Sequence, residues 1–211
     1  MKPKDLILAS IEKTLLDPLE QIGFTFSKNS LTFKRKVKDF VQTIHFQSNR
    51  NNQENVCVEF WTSFGVSSQK YSKWHQIEFG EIPVNNSVGG AMDWNIKNWE
   101  FPIINDKREL HFQIVHEKER ENVLTVLKNN ILNIGIPFLD TLSNWENAGN
   151  KLIEEKWFHY KACDFFLIAG NNEKALWALK QGINYWNTNP KASFPEDQKK
   201  IQIRLSKYFE K

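Results

Sequence analysis

The chain has 211 residues, of which 40% are hydrophobic, 13% aromatic and 25% charged. A chain of this length with 16 Phe and 8 Trp can bury a sizeable core, so the composition excludes a disordered or fibrous protein. The formal net charge of +3 is too small to attract nucleic acid or an anionic membrane strongly.

A helical period opens the chain. Apolar residues recur every three or four positions over residues 6–22, which predicts an amphipathic helix. Gly23 follows as the expected C-cap, whereas Pro18 lies inside the pattern and predicts a kink or an early end. Residues 24–33 then alternate around a polar turn, which predicts a short β-hairpin.

Further strands are predicted after the hairpin. In residues 40–46 three apolar side chains fall on even-numbered positions and would share one face of a strand. In residues 56–66 every second residue is apolar or Thr through six such positions, which is the clearest strand pattern in the chain. A last strand is predicted at 110–114. Residues 67–106 lack a regular period and are expected to be irregular, with Gly89-Gly90 in a tight or mobile loop.

The helical period returns at Glu117 and continues through five helices. The third and fourth form a hairpin through residues 170–173 that is similar to a single tetratricopeptide-type unit. The five helices are marked by Val123, Leu127 and Ile131; by Leu139, Leu142 and Trp145; by Phe158, Ala162, Phe165 and Ala169; by Leu176, Leu179, Ile183 and Trp186; and by Ile201, Leu205 and Tyr208.

These elements predict an α+β fold. The N-terminal helix packs on an antiparallel sheet, and a C-terminal all-helical segment follows. We expect two domains, a helix-plus-antiparallel-sheet domain at 1–134 and a helical extension at 135–211 that packs on the first.

A series of short sequence words runs through the first half of the chain. The words are Gly23-Phe24, Leu31-Thr32-Phe33-Lys34-Arg35, Ile44-His45-Phe46-Gln47-Ser48, Val58-Glu59-Phe60, Phe64-Gly65-Val66 and Asp93-Trp94. In this order they resemble domain-of-unknown-function family 4304, over roughly residues 5–125. The resemblance implies a helix-plus-antiparallel-sheet fold in a mostly bacterial family, and it implies no activity for any residue. At the family's usual tandem tryptophan this chain has Trp94-Asn95.

No catalytic or cofactor motif is found in the sequence. The GxSxG and GxxxxGK[ST] words are missing, as is an HExxH zinc spacing, so we predict no catalytic residue, no metal and no cofactor. Cys57 and Cys163 stand far apart, which fits free thiols in a reducing cytosol. No apolar stretch approaches the roughly 20 residues that cross a bilayer, and the first residues lack a signal-peptide core. We therefore expect a cytoplasmic protein without a membrane anchor.

Two strands carry the same His-Phe-Gln word, at His45-Phe46-Gln47 and at His111-Phe112-Gln113. Because neighbouring residues of a strand point to opposite faces, buried phenylalanines would turn each His and Gln outward. Indoles in the segment that lacks a regular period would add recognition area. The predicted binding residues are His45, Gln47, Glu59, Trp61, Trp94, Trp99, His111 and Gln113.

The function that these features favour is non-catalytic binding of a macromolecule, with a protein as the partner. Bacterial proteins of this size and style often serve as antidotes to toxins or as partners in defence systems, and by this association we expect such a role for this chain. The alternative is a small-ligand binder or an enzyme that uses His45, Glu59 and His111 in a pocket of the sheet face. A third hypothesis is weak nucleic-acid binding, in which Lys34-Arg35-Lys36 would contact phosphates beside stacking aromatic rings.

Overall fold

A computed structural model describes residues 1–104, 107–108, 111–192 and 194–210. It confirms the predicted fold class, because a helix and a six-stranded antiparallel sheet are followed by a helical segment. The chain divides into two compact units, residues 1–69 with 87–140 and residues 70–86 with 141–211. The predicted domains at 1–134 and 135–211, and their packing, stay a prediction. Within the described ranges, no helix is both long and apolar enough to span a bilayer.

Helix α1 (Pro3–Gln21) opens the first unit and packs against the sheet and a later helix of that unit. Its buried stripe repeats every four residues, as expected for one helical face; the stripe is Ile7, Ile11, Leu15 and Leu19. The helix passes through Pro18 and ends at Gln21, and its C-cap is Ile22, one residue before the predicted Gly23, which has a φ of 90°. Such a φ is readily adopted only by glycine.

The sheet of the first unit has the order β1-β2-β3-β4-β5, and β8 pairs with the same edge of β4 as β5 does. Every pairing in it is antiparallel. The strands are β1 (Thr25–Ser27), β2 (Thr32–Val37), β3 (Phe40–Ser48), β4 (Glu59–Ser67), β5 (Ser87–Met92) and β8 (Phe112–Gln113), while β6 (Ile103–Ile104) and β7 (Lys107–Arg108) form a separate pair.

Two strand predictions need correction at their ends. The strand predicted from residue 56 begins at Glu59, and Val56 is 65% exposed, because the chain turns there through a bridge between Gln53 and Cys57. The last strand is shorter than predicted, and Leu110 lies outside the described residues.

The prediction that residues 67–106 are irregular is wrong for much of that segment. Helix α2 (Gln69–Phe79) and strand β5 lie there, while residues 105 and 106 are outside the described part of the chain. Gly89 and Gly90 pair with β4 and do not form a loop. A side chain at Gly90 could not fit, because its Cβ would lie 2.4 Å from the carbonyl oxygen of Phe64. Close strand approach therefore explains this glycine.

Helix α3 (Glu117–Asn130) continues through a π-helical turn (Ile131–Gly135) into α4 (Ile136–Leu142). Gly135 lies against the ring of Phe64, where an added Cβ would be 2.4 Å from the nearest ring carbon. The sequence predicted a single helix through Leu139 and Trp145, but the structure has two. Asn144 starts the second of them, because its side chain caps the backbone N–H of Asn147.

The second unit is helical. Its members from the C-terminal segment are α5 (Trp145–Glu154), α6 (His159–Ile168), α7 (Asn172–Thr188) and α8 (Pro195–Tyr208), and α2 belongs to it apart from Gln69. Helices α6 and α7 form the predicted hairpin, which turns at Gly170.

A buried ion pair joins α6 to α8 in the second unit. Arg204 Nε donates to Asp164 Oδ1 at 2.6 Å, and its Nη2 donates to Oδ2 at 2.7 Å. The hydroxyl of Tyr71, from α2, donates to the same carboxylate at 3.3 Å. Side chains of α2 and α8 thus both donate to one buried carboxylate of α6. The hydrogen bond from Tyr71 fixes α2 within this unit.

Candidate functional site

The phenylalanines of three strands lie on one face of the sheet. Phe46, Phe60 and Phe112 are buried, and the rings follow one another at 6.0 and 5.9 Å between centroids. Their sequence neighbours alternate to the opposite side, which we call the outer face. It carries six of the eight predicted residues, namely His45, Gln47, Glu59, Trp61, His111 and Gln113.

The register places these residues in cross-strand pairs. Gln47 lies opposite Trp61 on β4, and Glu59 lies opposite Gln113 on β8. The rings of Trp61 and His111 are 5.9 Å apart, so the indole lies beside both Gln47 and an imidazole. The centre of the outer face is therefore aromatic, with amide groups at its sides.

Trp94 joins this centre from a separate segment. It lies in a 3₁₀ turn (Asp93–Asn95) directly after β5, and its ring meets that of Trp61 edge-on at 6.3 Å. Although Trp61 supports one side of the indole, Trp94 remains 49% exposed. We call Trp61, Trp94 and His111 the tryptophan patch.

Asp93 holds the backbone at the base of the tryptophan patch. Its Oδ2 accepts the backbone N–H of Thr62 at 2.7 Å, and its Oδ1 accepts that of Trp94 at 2.9 Å. Strands β5 and β8 pair with different parts of the same edge of β4, and the carboxylate supplies an acceptor between them. The side chain thus takes the place of a missing strand carbonyl and fixes the turn that carries Trp94.

The same carboxyl group has an altered acidity. Asp93 has no exposed surface, and burial raises the pKa of its carboxyl from 3.8 to about 6. The two backbone N–H groups and the nearby His111 act in the opposite direction. Sequence reasoning assigned no role to Asp93, although the word Asp93-Trp94 was visible. Its partner Thr62 is 31 residues away, and only the folded sheet brings the two together.

The carboxylate of Glu59 accepts hydrogen bonds from two neighbouring amides. Its Oε2 accepts from Asn49 Nδ2 at 3.0 Å, and its Oε1 accepts from Gln113 Nε2 at 3.3 Å. Burial together with the Glu59 charge raises the pKa of the Cys57 thiol. This corner of the outer face is therefore a closed network of hydrogen bonds.

His45 lies at a different part of the outer face. Its Nδ1 is 3.0 Å from both Thr32 Oγ1 and the carbonyl oxygen of Ser30. Because His45 pairs with Ser63, it is four β4 positions away from the Glu59 corner, about 13 Å at the ordinary strand rise. The structure does not bring His45 to Glu59, so the pocket of the alternative hypothesis is not formed by these two residues. Among the described residues, no group of three or more His, Cys, Asp or Glu could hold a metal ion.

Trp99 lies on the other side of the sheet. It is 5% exposed, and its ring packs against Phe64 at 5.3 Å and Phe112 at 6.3 Å. The sequence grouped it with Trp94 because both lie in the segment that lacks a regular period, but only Trp94 reaches the outer face. Trp99 is part of the hydrophobic core.

Comparison with known proteins gives one result. Neither the curated proteins nor the solved structures provide a match to this chain. A family described as "Domain of unknown function (DUF4304)" matches residues 15–141, which is more than half of the chain. The match contains the whole sheet and the tryptophan patch, and it stops before most of the second unit. The chain therefore belongs to the DUF4304 family.

Proposed function

We propose that this protein binds another protein through the tryptophan patch. The observation that carries the proposal is the 49% exposure of Trp94, an indole whose position is fixed by the Trp61 ring and by the Asp93 carboxylate. A large aromatic side chain held rigidly at a surface loses little conformational entropy on binding, which is why tryptophan is enriched at interaction hot spots.

The surroundings of the tryptophan patch also favour a protein partner. Gln47 is exposed beside Trp61. The hydrogen bond between the Gln113 amide and the Glu59 carboxylate borders the aromatic centre. An apolar centre with a polar rim is the usual anatomy of a protein interface. The net charge of +3 provides little of the phosphate attraction that nucleic-acid binding requires.

The cellular setting that we propose is the bacterial cytoplasm, with a toxin or a defence-system protein as the partner. The two free cysteines, Cys57 and Cys163, are compatible with a reducing compartment. A binding role without catalysis accounts for the outer face, where Glu59 and His45 are each held by structural hydrogen bonds.

Affinity capture from a lysate of the source organism tests this proposal. Wild type, Trp94→Ala and Trp177→Ala would be immobilised in parallel, since Trp177 is similarly exposed at 41% but lies on α7. We expect a protein captured by wild type and Trp177→Ala that is lost with Trp94→Ala. With that protein purified, calorimetry should show a loss in affinity of about thirtyfold for Trp94→Ala, as for a hot-spot residue.

Equal capture by all three proteins would contradict the tryptophan patch as the binding site. A capture screen without any specific protein, together with a thermal shift by a metabolite that His111→Ala abolishes, would favour the small-ligand alternative instead. The thermal midpoint of each variant, measured without partner, separates a binding defect from unfolding.

A further inference from the structure

A second aromatic site lies within the second unit, outside the residues that match the family. It is a cavity of about 240 Å³ where the loop between α5 and α6 meets the C-terminal part of α7 and the start of α8. Five aromatic side chains line it: Trp157, Phe158, Tyr185, Trp186 and Phe194.

Three of these rings remain about half exposed. Trp157 is 53%, Phe158 44% and Phe194 54% exposed, although the Trp157 ring lies beside the other two. The Trp157 centroid is 6.2 Å from that of Phe158 and 6.3 Å from that of Phe194. Large aromatic side chains contribute most when they are buried, so three exposed rings around one cavity indicate a surface that a ligand would cover.

The backbone holds Trp157 outward through two disfavoured conformations. Lys156 has a φ of 59° and Phe158 a φ of 50°, in the left-handed region that glycine usually occupies. At the end of α5, the N–H of Trp157 donates to the carbonyl of Leu152 at 3.1 Å, which closes the helix with Lys156 in the usual glycine position. The two left-handed residues thus flank Trp157 and fix the backbone where it lines the cavity.

One acidic side chain, Asp197, lines the cavity. It lies in the first turn of α8, and burial raises the pKa of its carboxyl. Lys200 Nζ is 4.0 Å from its Oδ1, at the limit of an ion pair. His159 also borders the cavity, and burial lowers its pKa, so its neutral form is favoured there. Lys156 is exposed and can keep its ammonium group in water.

We propose that this aromatic cavity binds an alkylated ammonium group. The faces of Trp, Tyr and Phe rings attract cations, most strongly for weakly hydrated quaternary ammonium groups. Asp197 places a carboxyl group at the wall of the cavity, where a cation can contact it. The volume of about 240 Å³ is below the range of about 300–1,000 Å³ for pockets that hold drug-sized ligands, so it suits a small cation or one side chain. The group could belong to a free metabolite such as choline or to a methylated lysine of a protein.

Calorimetry on the full-length protein tests the proposal with matched probes. Choline is compared with its neutral tert-butyl isostere, and a short peptide carrying trimethyllysine with the same peptide carrying unmodified lysine. We expect each quaternary probe to bind about tenfold more tightly than its control, as a cation–π contribution of that size requires. The tighter of the two quaternary probes then identifies the source of the ammonium group.

Variants locate the binding in the cavity. Trp157→Ala and Phe194→Ala should each abolish the binding that wild type shows, whereas Trp177→Ala, exposed on α7 but away from the cavity, should retain it. Asp197→Asn should weaken binding severalfold, because it removes the carboxylate from the cavity wall. Trp157→Leu keeps an apolar side chain without the π face, so it tests the ring itself if the alanine variant does not fold.

The proposal is overturned if wild type binds neither quaternary probe at millimolar concentration, or if the neutral isostere binds as well as choline. It is also overturned if Trp157→Leu, with an unchanged thermal midpoint, keeps full affinity. None of these measurements involves the tryptophan patch, so they leave the proposed protein-binding function untouched.

Discussion

The two units each contain a completely buried aspartate, and the two carboxylates are stabilised in different ways. Asp93 accepts from two backbone N–H groups, whereas Asp164 receives two short hydrogen bonds from the guanidinium of Arg204. A backbone amide offers a partial positive charge, and a guanidinium offers a full one. The two carboxylates are therefore equally buried and differ in their partners, which are backbone dipoles for Asp93 and a counter-charge for Asp164.

The largest expected effect comes from removing the guanidinium. Arg204→Met leaves Asp164 buried without its counter-charge, which should lower the free energy of unfolding by about 3–5 kcal/mol. The double variant Asp164→Leu/Arg204→Met should recover most of that loss, because no unpaired charge remains. Urea unfolding of both variants measures these effects.

Lys199→Met is the control, since Lys199 is exposed on the same helix and its substitution should change stability by less than about 0.5 kcal/mol. If Arg204→Met is no more destabilising than Lys199→Met, the ion pair does not have the importance assigned to it here.

A smaller, pH-dependent effect is expected for Asp93. Its carboxyl has a pKa near 6 in the folded protein, raised from 3.8, so the folded state holds this proton more tightly than the unfolded chain does. The protonated Asp93 therefore adds its full contribution to the free energy of unfolding below pH 3.8. That contribution, about 2–3 kcal/mol, is lost as the pH rises from 3.8 through 6. Asp93→Asn cannot titrate, so the stability of wild type relative to this variant should fall over that pH range.

Chemical denaturation at a series of pH values provides the measurement for Asp93. Asp17→Asn, at an exposed position of α1, serves as the matched control for the removal of a carboxylate. A difference between wild type and Asp93→Asn that stays constant from acid to neutral pH would refute the raised pKa.

The smallest effect is expected at Glu78, a carboxylate of the second unit near the surface. Tyr208 donates a hydrogen bond of 2.6 Å to its Oε2, and Lys207 Nζ lies 2.9 Å from the same oxygen. These contacts lower the pKa of Glu78 below its ordinary value of 4.5. Their stabilising effect is therefore present above pH 4.5 and lost as the pH falls through the lowered pKa.

Tyr208→Phe should consequently reduce stability by about 1 kcal/mol at neutral pH, the usual net value of one hydrogen bond, and by less in acid. Unfolding curves of Tyr208→Phe, Glu78→Gln and the double variant would measure the coupling between the two residues. Additive single effects would show that the hydrogen bond contributes nothing measurable.

Alternation along the strands was sufficient to predict most of the sheet and of its outer face, although strand β5 was missed. Phe46, Phe60 and Phe112 each lie in a strand whose side chains alternate between the two faces of the sheet. Trp61 and His111, as direct sequence neighbours of two of them, could therefore be assigned to the outer face. Trp99 could not be placed in this way, because it lies outside a strand and its side of the sheet depends on packing against Phe64.

The remaining features depend on contacts between distant residues. Helix α2 was missed because it buries only Tyr71 and His75 among its eleven residues, which is too weak a stripe to establish a helical period. The role of Asp93 and the aromatic cavity were missed for a related reason. Each is assembled from segments that lie far apart in the sequence, so no local sequence pattern indicates that they meet.

The sharing of one β4 edge by β5 and β8 has a consequence for variation within the family. Ser63 pairs with Met92 and Phe60 pairs with Phe112, and the Asp93 side chain serves the backbone position between these pairings. The two pairings are each held by β4 itself, so the number of residues that connect them is not dictated by the sheet. We expect relatives to vary the length of this connection at positions other than Trp99, which is buried in the core, while retaining both registers. Its exposed positions, such as Lys97, are therefore suited to the insertion of a peptide tag.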